Sequence, residues 1–209
     1  MAVTEAPPAV EAGHAPEPHR ATSVSNAKLA IWMFLASDFL FFGAFIAAFL
    51  LYRSRPVKGE TLADVLDIPF TSATSFILLM SSLTMVLALA AIQRGDHRRT
   101  RVWLLATCFF GVTFIGGQIY EFTSFVREGF TMQSNLSGST FFVLTGLHGL
   151  HVTIGVIWLL SLFGLSMQGK LGNTDTDHEK VEVAGLYWHF VDVIWIVIFT
   201  LVYLIPYQK

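Results

Sequence analysis

The stretch GLYWHFVDVIWIVIFTLVYLIP, residues 185–206, decides the fold. At 1.5 Å of rise per residue it is long enough to cross a hydrocarbon core of about 30 Å. It nevertheless carries Tyr187, Trp188, His189, Asp192 and Trp195. An ionisable side chain at that depth costs about 2.5–3.5 kcal/mol on insertion scales, so His189 and Asp192 are expected to face protein and not lipid. The stretch therefore asks for neighbouring helices.

Four more apolar runs supply them. With residues 182–206, the runs near 27–52, 70–93, 101–126 and 139–167 make five segments of spanning length. The 209-residue chain is 54% hydrophobic with 19 Phe and only 13% charged, too apolar to present a polar skin to water. Membrane β-strands would be about ten residues long with strict alternation, so helix is the form these runs take. The expected fold is an all-α membrane protein, a bundle of five transmembrane helices forming one domain over 27–209. Residues 1–26, rich in Ala and Pro, lack the charged start and apolar core of a cleavable signal and read as a disordered tail. A net charge of −2 provides no basic patch, which argues against nucleic acid as a partner. Cys108 is the single cysteine, so an internal disulfide, a haem-attachment motif and a two-cysteine copper centre are all excluded.

The distribution of Lys and Arg sets an expected orientation. Eight (Arg20, Lys28, Arg94, Arg98, Arg99, Arg101, Lys170, Lys180) lie in the tail and in the second and fourth loops. Five (Arg53, Arg55, Lys58, Arg127, Lys209) lie on the other side. The positive-inside rule then places the N-terminus in the cytoplasm and the C-terminus outside, with the Arg94–Arg101 cluster anchored among headgroups.

Counting rise per residue from each helix start puts Asp38, His151 and Asp192 at about the same mid-membrane depth. His189 lies one turn from Asp192, His148 and His151 share a face, and Glu121 sits beside Tyr120 near the far end of the third helix. Three readings of this polar layer stand side by side. Its members can hydrogen-bond across helices and fix packing, at about 1 kcal/mol or less per bond. Asp38 can handle protons or face a partner subunit. A metal or haem site from His148, His151, His189 and Asp38 suits the ligand chemistry, but the repeated Glu-x-x-His pair of bundle metal sites is missing. Gly111, Gly116, Gly117, Gly146, Gly149 and Gly155 read as points of close helix approach, and Asn135 and Ser137 as capping residues for the fourth helix. A stand-alone transporter would use the same carboxylates, but five helices permit no clean internal duplication.

Two segments carry a resemblance. GSTFFVLTGLHGLHVTIG, residues 138–155, and YWHFVDVIW, residues 187–195, are similar to the signatures of subunit III of the haem-copper respiratory oxidases, the cytochrome c and quinol oxidases, and occur in the same order. His178 and Glu182, spaced H-x-x-x-E ahead of Tyr187, and the pair Tyr120–Glu121 also resemble that family. The likeness runs over most of residues 27–206 and matches the five-helix bacterial type; the mitochondrial form has seven helices, and this chain begins with what looks like the third. Where the family commonly has Ser-Glu, this chain has Ser37 and Asp38, so the buried carboxyl is kept with a reach one methylene shorter.

The resemblance implies a non-catalytic subunit of a proton-pumping terminal oxidase in a bacterial inner membrane. Haem and copper would belong to partner subunits, oxidase subunit I as the main contact and subunit II, with small subunits or a respiratory supercomplex beyond them. This chain itself would hold no metal or other cofactor and have no catalytic residue. Its role would be to stabilise the catalytic subunit, support proton uptake through Asp38, and retain phospholipid. In the seven-helix form the first two helices wall a lipid-holding cleft; here that wall is absent or comes from another subunit. His178, Glu182, Tyr187 and Trp188 are the expected lipid or interface contacts, with His178 and Glu182 pairing across one turn or making a simple helix-entry contact near Asp175 and Asp177. An accessory protein of a nitric oxide reductase is the alternative within the same family.

Overall fold

The computed structural model describes residues 25–53, 66–133, 135–171 and 175–205. The expected tail, apart from Ser25 and Asn26, and four of the charges used for orientation (Arg20, Arg55, Lys58 and Lys209) lie outside the described residues. Five long helices account for nearly everything described: α1 Asn26–Tyr52, α2 Ile68–Gln93, α3 His97–Arg127, α4 Leu136–Met167 and α5 Asp175–Phe199, the last continuing as a π-helical turn, Thr200–Leu204. All five spans are long and apolar enough to cross a membrane.

The helices start where short polar side chains satisfy the free backbone N–H groups. Ser25, Asp67, Asp96 and Asn135 accept from the backbone N–H of Lys28, Phe70, Arg99 and Gly138 respectively. Of the two capping residues expected for α4, Asn135 serves and Ser137 lies inside the helix. At the end of α2, Gly95 takes φ +73° and the Asp96 N–H turns back to Ala91 O, so α3 begins after a three-residue turn.

Helix α5 begins seven residues before the apolar run does. Its polar first turns stand clear of the hydrophobic segment, and they are held in place: Ser25 Oγ donates to Glu179, and Lys28 Nζ pairs with Glu182 at 2.8 Å. Hydropathy marks only the part of a helix that needs an apolar solvent, which is why this extension was not apparent from the apolar run.

Helix α5 is central. It packs against α1, α2 and α4, while α2 packs on α3, α3 on α4, and α1 on α4. Along the α2–α5 seam, Trp188 Nε1 donates to Ser81 Oγ at 2.9 Å and Trp195 Nε1 to Ser75 Oγ at 2.8 Å. Each serine hydroxyl donates in turn to a carbonyl of its own helix, Ser81 to Leu78 O and Ser75 to Thr71 O. Thr84 and Thr107 hydroxyls, 2.8 Å apart, join α2 to α3.

Trp188 also meets backbone. A Cβ placed on Gly111 of α3 would lie 2.7 Å from its ring, and one on Gly155 of α4 would lie 2.8 Å from it. Gly117 abuts Thr74, and Gly149 abuts the Gln118 carboxamide, which donates to Thr145 O at 2.6 Å. Two glycines of the expected set differ: Gly116 has nothing within 4 Å, and Gly146 has only ordinary contact with Phe122 at 4.0 Å. Gly116 faces outward, and Gly146 leaves α3 at ordinary van der Waals distance.

This division of the glycines is testable. Gly111→Ala and Gly155→Ala should each destabilise the fold by about 1–3 kcal/mol, because the indole has no room to move. Gly116→Ala should be neutral or slightly stabilising through helix propensity. Unfolding of the purified variants in mild detergent, followed by circular dichroism, checks the ranking.

Candidate functional site

The polar layer expected from the sequence assembles into two groups. The first joins α1 to α4. Asp38 is 8% exposed, and its Oδ1 lies 3.4 Å from His151 Nε2. His151 Nδ1 is 2.7 Å from Leu147 O, a carbonyl that can only accept, so Nδ1 carries a proton. Nε2 therefore meets Asp38 either as a lone pair facing a carboxyl O–H or as an N–H⁺ facing a carboxylate. Both arrangements make an attractive polar contact between the two helices. Tyr187 OH of α5 donates to His151 O at 3.0 Å, and the Phe42 ring packs edge-on against the imidazole at 5.0 Å. Asp38 Oδ2 has no partner among the described residues.

The second group lies between α2 and α5. His189 Nδ1 and Ser82 Oγ are 2.6 Å apart. Asp192, one turn along α5, is buried, and the Ser82 hydroxyl is its hydrogen-bonding neighbour on α2. Glu121 of α3 is better satisfied: it accepts from Thr71 Oγ1 at 2.6 Å and from Tyr203 OH of the π turn at 3.2 Å. Its neighbour Tyr120 is exposed and packs on Phe70.

His148 stands apart from both groups. It is fully buried, stacked on Trp195 at 4.8 Å, with Phe114 and Phe42 edge-on at 5.9 and 6.5 Å. Its two nitrogens open onto these rings and not onto a second donor. Among the described residues no three His, Cys, Asp or Glu side chains are grouped to hold a metal ion. His148, His151, His189 and Asp38 are not brought together into one group of that kind.

The remaining expected contacts fall as follows. Glu182 pairs with Lys28 and not with His178, because Lys28 on α1 reaches it across the helix interface; the pair is about one-third exposed. His178 is half-buried with no bond to a described residue recorded. Tyr187 and Trp188 are 3% and 1% exposed, inside the bundle and away from its surface. The seam that sequence reasoning missed is the row Thr71, Ser75, Ser81, Ser82 and Thr84 on α2. Its signal was present: small hydroxyl residues at helical spacing in one apolar run, and two tryptophans seven apart in another.

Five apolar helices closed around a buried polar seam define a polytopic α-helical membrane protein. A family model described as "Cytochrome c oxidase subunit III" matches residues 10–207. The chain belongs to that family. It is 39% identical over 189 residues to a cytochrome c oxidase subunit 3 of Alkalihalophilus pseudofirmus, covering 90% of this chain and 91% of the relative. It is 36% identical to a quinol oxidase subunit 3 of Bacillus spizizenii, covering 84% and 85% of the two chains. A cytochrome bo(3) ubiquinol oxidase subunit 3 of Pseudomonas aeruginosa is 33% identical over 194 residues, covering 93% and 91%.

The Asp38–His151 pair predicts how the α1–α4 contact responds to substitution. Asp38→Asn keeps a donor for His151 Nε2 and should cost less than about 1 kcal/mol. Asp38→Leu leaves the imidazole unpartnered at mid-membrane and should cost about 1–3 kcal/mol. Thermal unfolding in detergent distinguishes the two, and equal losses would remove the pair as a structural contact.

Proposed function

We propose that this chain is the non-catalytic subunit III of a proton-pumping haem-copper oxidase that reduces oxygen to water in aerobic electron transport. The observation that carries this reading is the family match through every described helix, with relatives named as subunits of both cytochrome c and quinol oxidases. The bacterial sources of those relatives support placement in a bacterial inner membrane. The count of Lys and Arg supports a cytoplasmic N-terminus and an external C-terminus.

In this reading the haems and copper reside in partner subunits I and II, and the chain's contribution is mechanical and protonic. The Trp188 and Trp195 seam gives a rigid body to pack against subunit I. Asp38 supports proton uptake by that partner: it sits at mid-membrane on α1, one oxygen committed to His151 and the other free of described partners. Phospholipid retention is the third part of the role, with His178 and Glu182 placed at one end of α5 beside the α1 terminus.

Gentle-detergent purification of the tagged protein from its native membrane, with mass spectrometry of what accompanies it and a reduced-minus-oxidised haem spectrum, tests the assignment. The expected result is a haem- and copper-bearing oxidase subunit with oxygen-reducing activity. Recovery of a nitric oxide reductase, or of the chain alone, would refute it. In the assembled enzyme, Asp38→Asn should leave the haem spectrum unchanged and shorten the active life during turnover; an unaltered inactivation rate would reduce Asp38 to packing.

A further inference from the structure

The turn between α2 and α3 forms a recess of about 360 Å³ lined by Leu87, Ala91, Arg94, Asp96, Arg99 and Trp103. Its polarity is graded. Arg94, Asp96 and Arg99 stand at the mouth, where two membrane spans end, whereas Leu87 lies seven residues further into α2, about 10 Å deeper. Ala91 and Trp103 line the intervening wall.

The two arginines are held in ways that leave their terminal nitrogens available. Arg94 Nε donates to Ala90 O at 2.9 Å. Arg99 Nε pairs with Asp96 Oδ2 at 3.2 Å, while Asp96 Oδ1 accepts the Arg99 backbone N–H at 3.0 Å. Asp96 thus orients one guanidinium through Oδ2, caps α3 through Oδ1 and offsets one positive charge. No described residue bonds the Nη groups of either arginine. Gly95 at φ +73° makes the turn tight enough to bring both side chains to the same recess.

We propose that this recess binds one anionic phospholipid, its phosphodiester between Arg94 and Arg99 and an acyl chain along Trp103, Ala91 and Leu87. Guanidinium groups recognise phosphate oxygens with paired, charge-assisted N–H donors. Basic pockets between spans at headgroup depth suit that chemistry. The apolar depth of the recess favours a lipid over a free anion, since inorganic phosphate would use only the mouth. The net positive charge left after Asp96 favours an anionic headgroup over a zwitterionic one. This site requires only that the chain lies in a bilayer, and is independent of the oxidase assignment.

Native mass spectrometry of the full chain in mild detergent, titrated with phosphatidylglycerol and separately with phosphatidylcholine, tests the proposal. One phosphatidylglycerol should be retained in preference, and Arg94→Gln/Arg99→Gln should weaken its binding by roughly tenfold or more. Arg98→Gln, exposed and outside the recess, should leave binding unchanged. Asp96→Asn keeps the helix cap and removes the competing carboxylate, so binding should tighten. Equal binding by the double variant, equal loss in Arg98→Gln, or weaker binding in Asp96→Asn would each overturn the site. Displacement of the lipid by millimolar inorganic phosphate would identify a free-anion site and overturn its lipid identity. Circular dichroism of each variant separates loss of the site from loss of fold.

Discussion

The bundle depends on one indole. Lipid tails are as apolar as leucine, so helices in a bilayer gain little from hiding apolar surface and associate through close fit and interhelical hydrogen bonds. Trp188 uses both. Its N–H, which would be left unsatisfied in hydrocarbon, reaches Ser81 on α2, and its ring fills the notches at Gly111 on α3 and Gly155 on α4. Four helices are thereby registered by one side chain. Seven residues on, Trp195 repeats the arrangement with Ser75, Phe114 and His148. A serine is well suited to face these indoles because it accepts their N–H while donating back to its own helix, leaving no hydroxyl unpaired.

Helix α1 lies outside this lock and is held differently. It packs on α4 and α5, and much of its surface, including Trp32, Phe39 and Leu40, is exposed. An apolar helix facing lipid on most sides has little to fix its register, and three polar clamps along its length provide it. Ser25 and Lys28 engage Glu179 and Glu182 at one end, Asp38 engages His151 in the middle, and Arg53 donates to Leu201 O and Ile205 O at the other end, at 2.9 and 2.8 Å. The last clamp closes the end of the π turn: the guanidinium takes one carbonyl inside the turn and one just past it. The end clamp formed by Lys28 and Glu182 is partly exposed and worth less than about 1 kcal/mol, so the buried clamp carries more of the registration.

The five spans and the level at which Asp38 meets His151 were legible because each follows from length, hydropathy and a fixed rise per residue. What was not legible depends on rotation about helix axes. Glu182 is equally well placed in sequence to meet His178 or Lys28, and only the angle of α5 against α1 selects Lys28. Gly111 and Gly116 look alike in a string of apolar residues, but one meets Trp188 and the other meets nothing. The serine row on α2 escaped notice because Ser and Thr in an apolar run can simply bond their own backbone, as Ser72 does to Ile68 O.

The shortened carboxyl at position 38 acquires a physical meaning in this frame. An Asp38–Nε2 distance of 3.4 Å lies beyond the usual range for a strong hydrogen bond. The middle clamp is therefore looser than the seam it sits beside, and α1 is the helix whose position depends on it. The attraction between Asp38 and His151 is the only polar contact from the middle of α1 to another helix among the described residues, so the register of α1 against α4 depends on it. A core locked by tryptophans and an outer helix held by a longer polar contact put the rigidity of the bundle and its freedom to adjust in separate places.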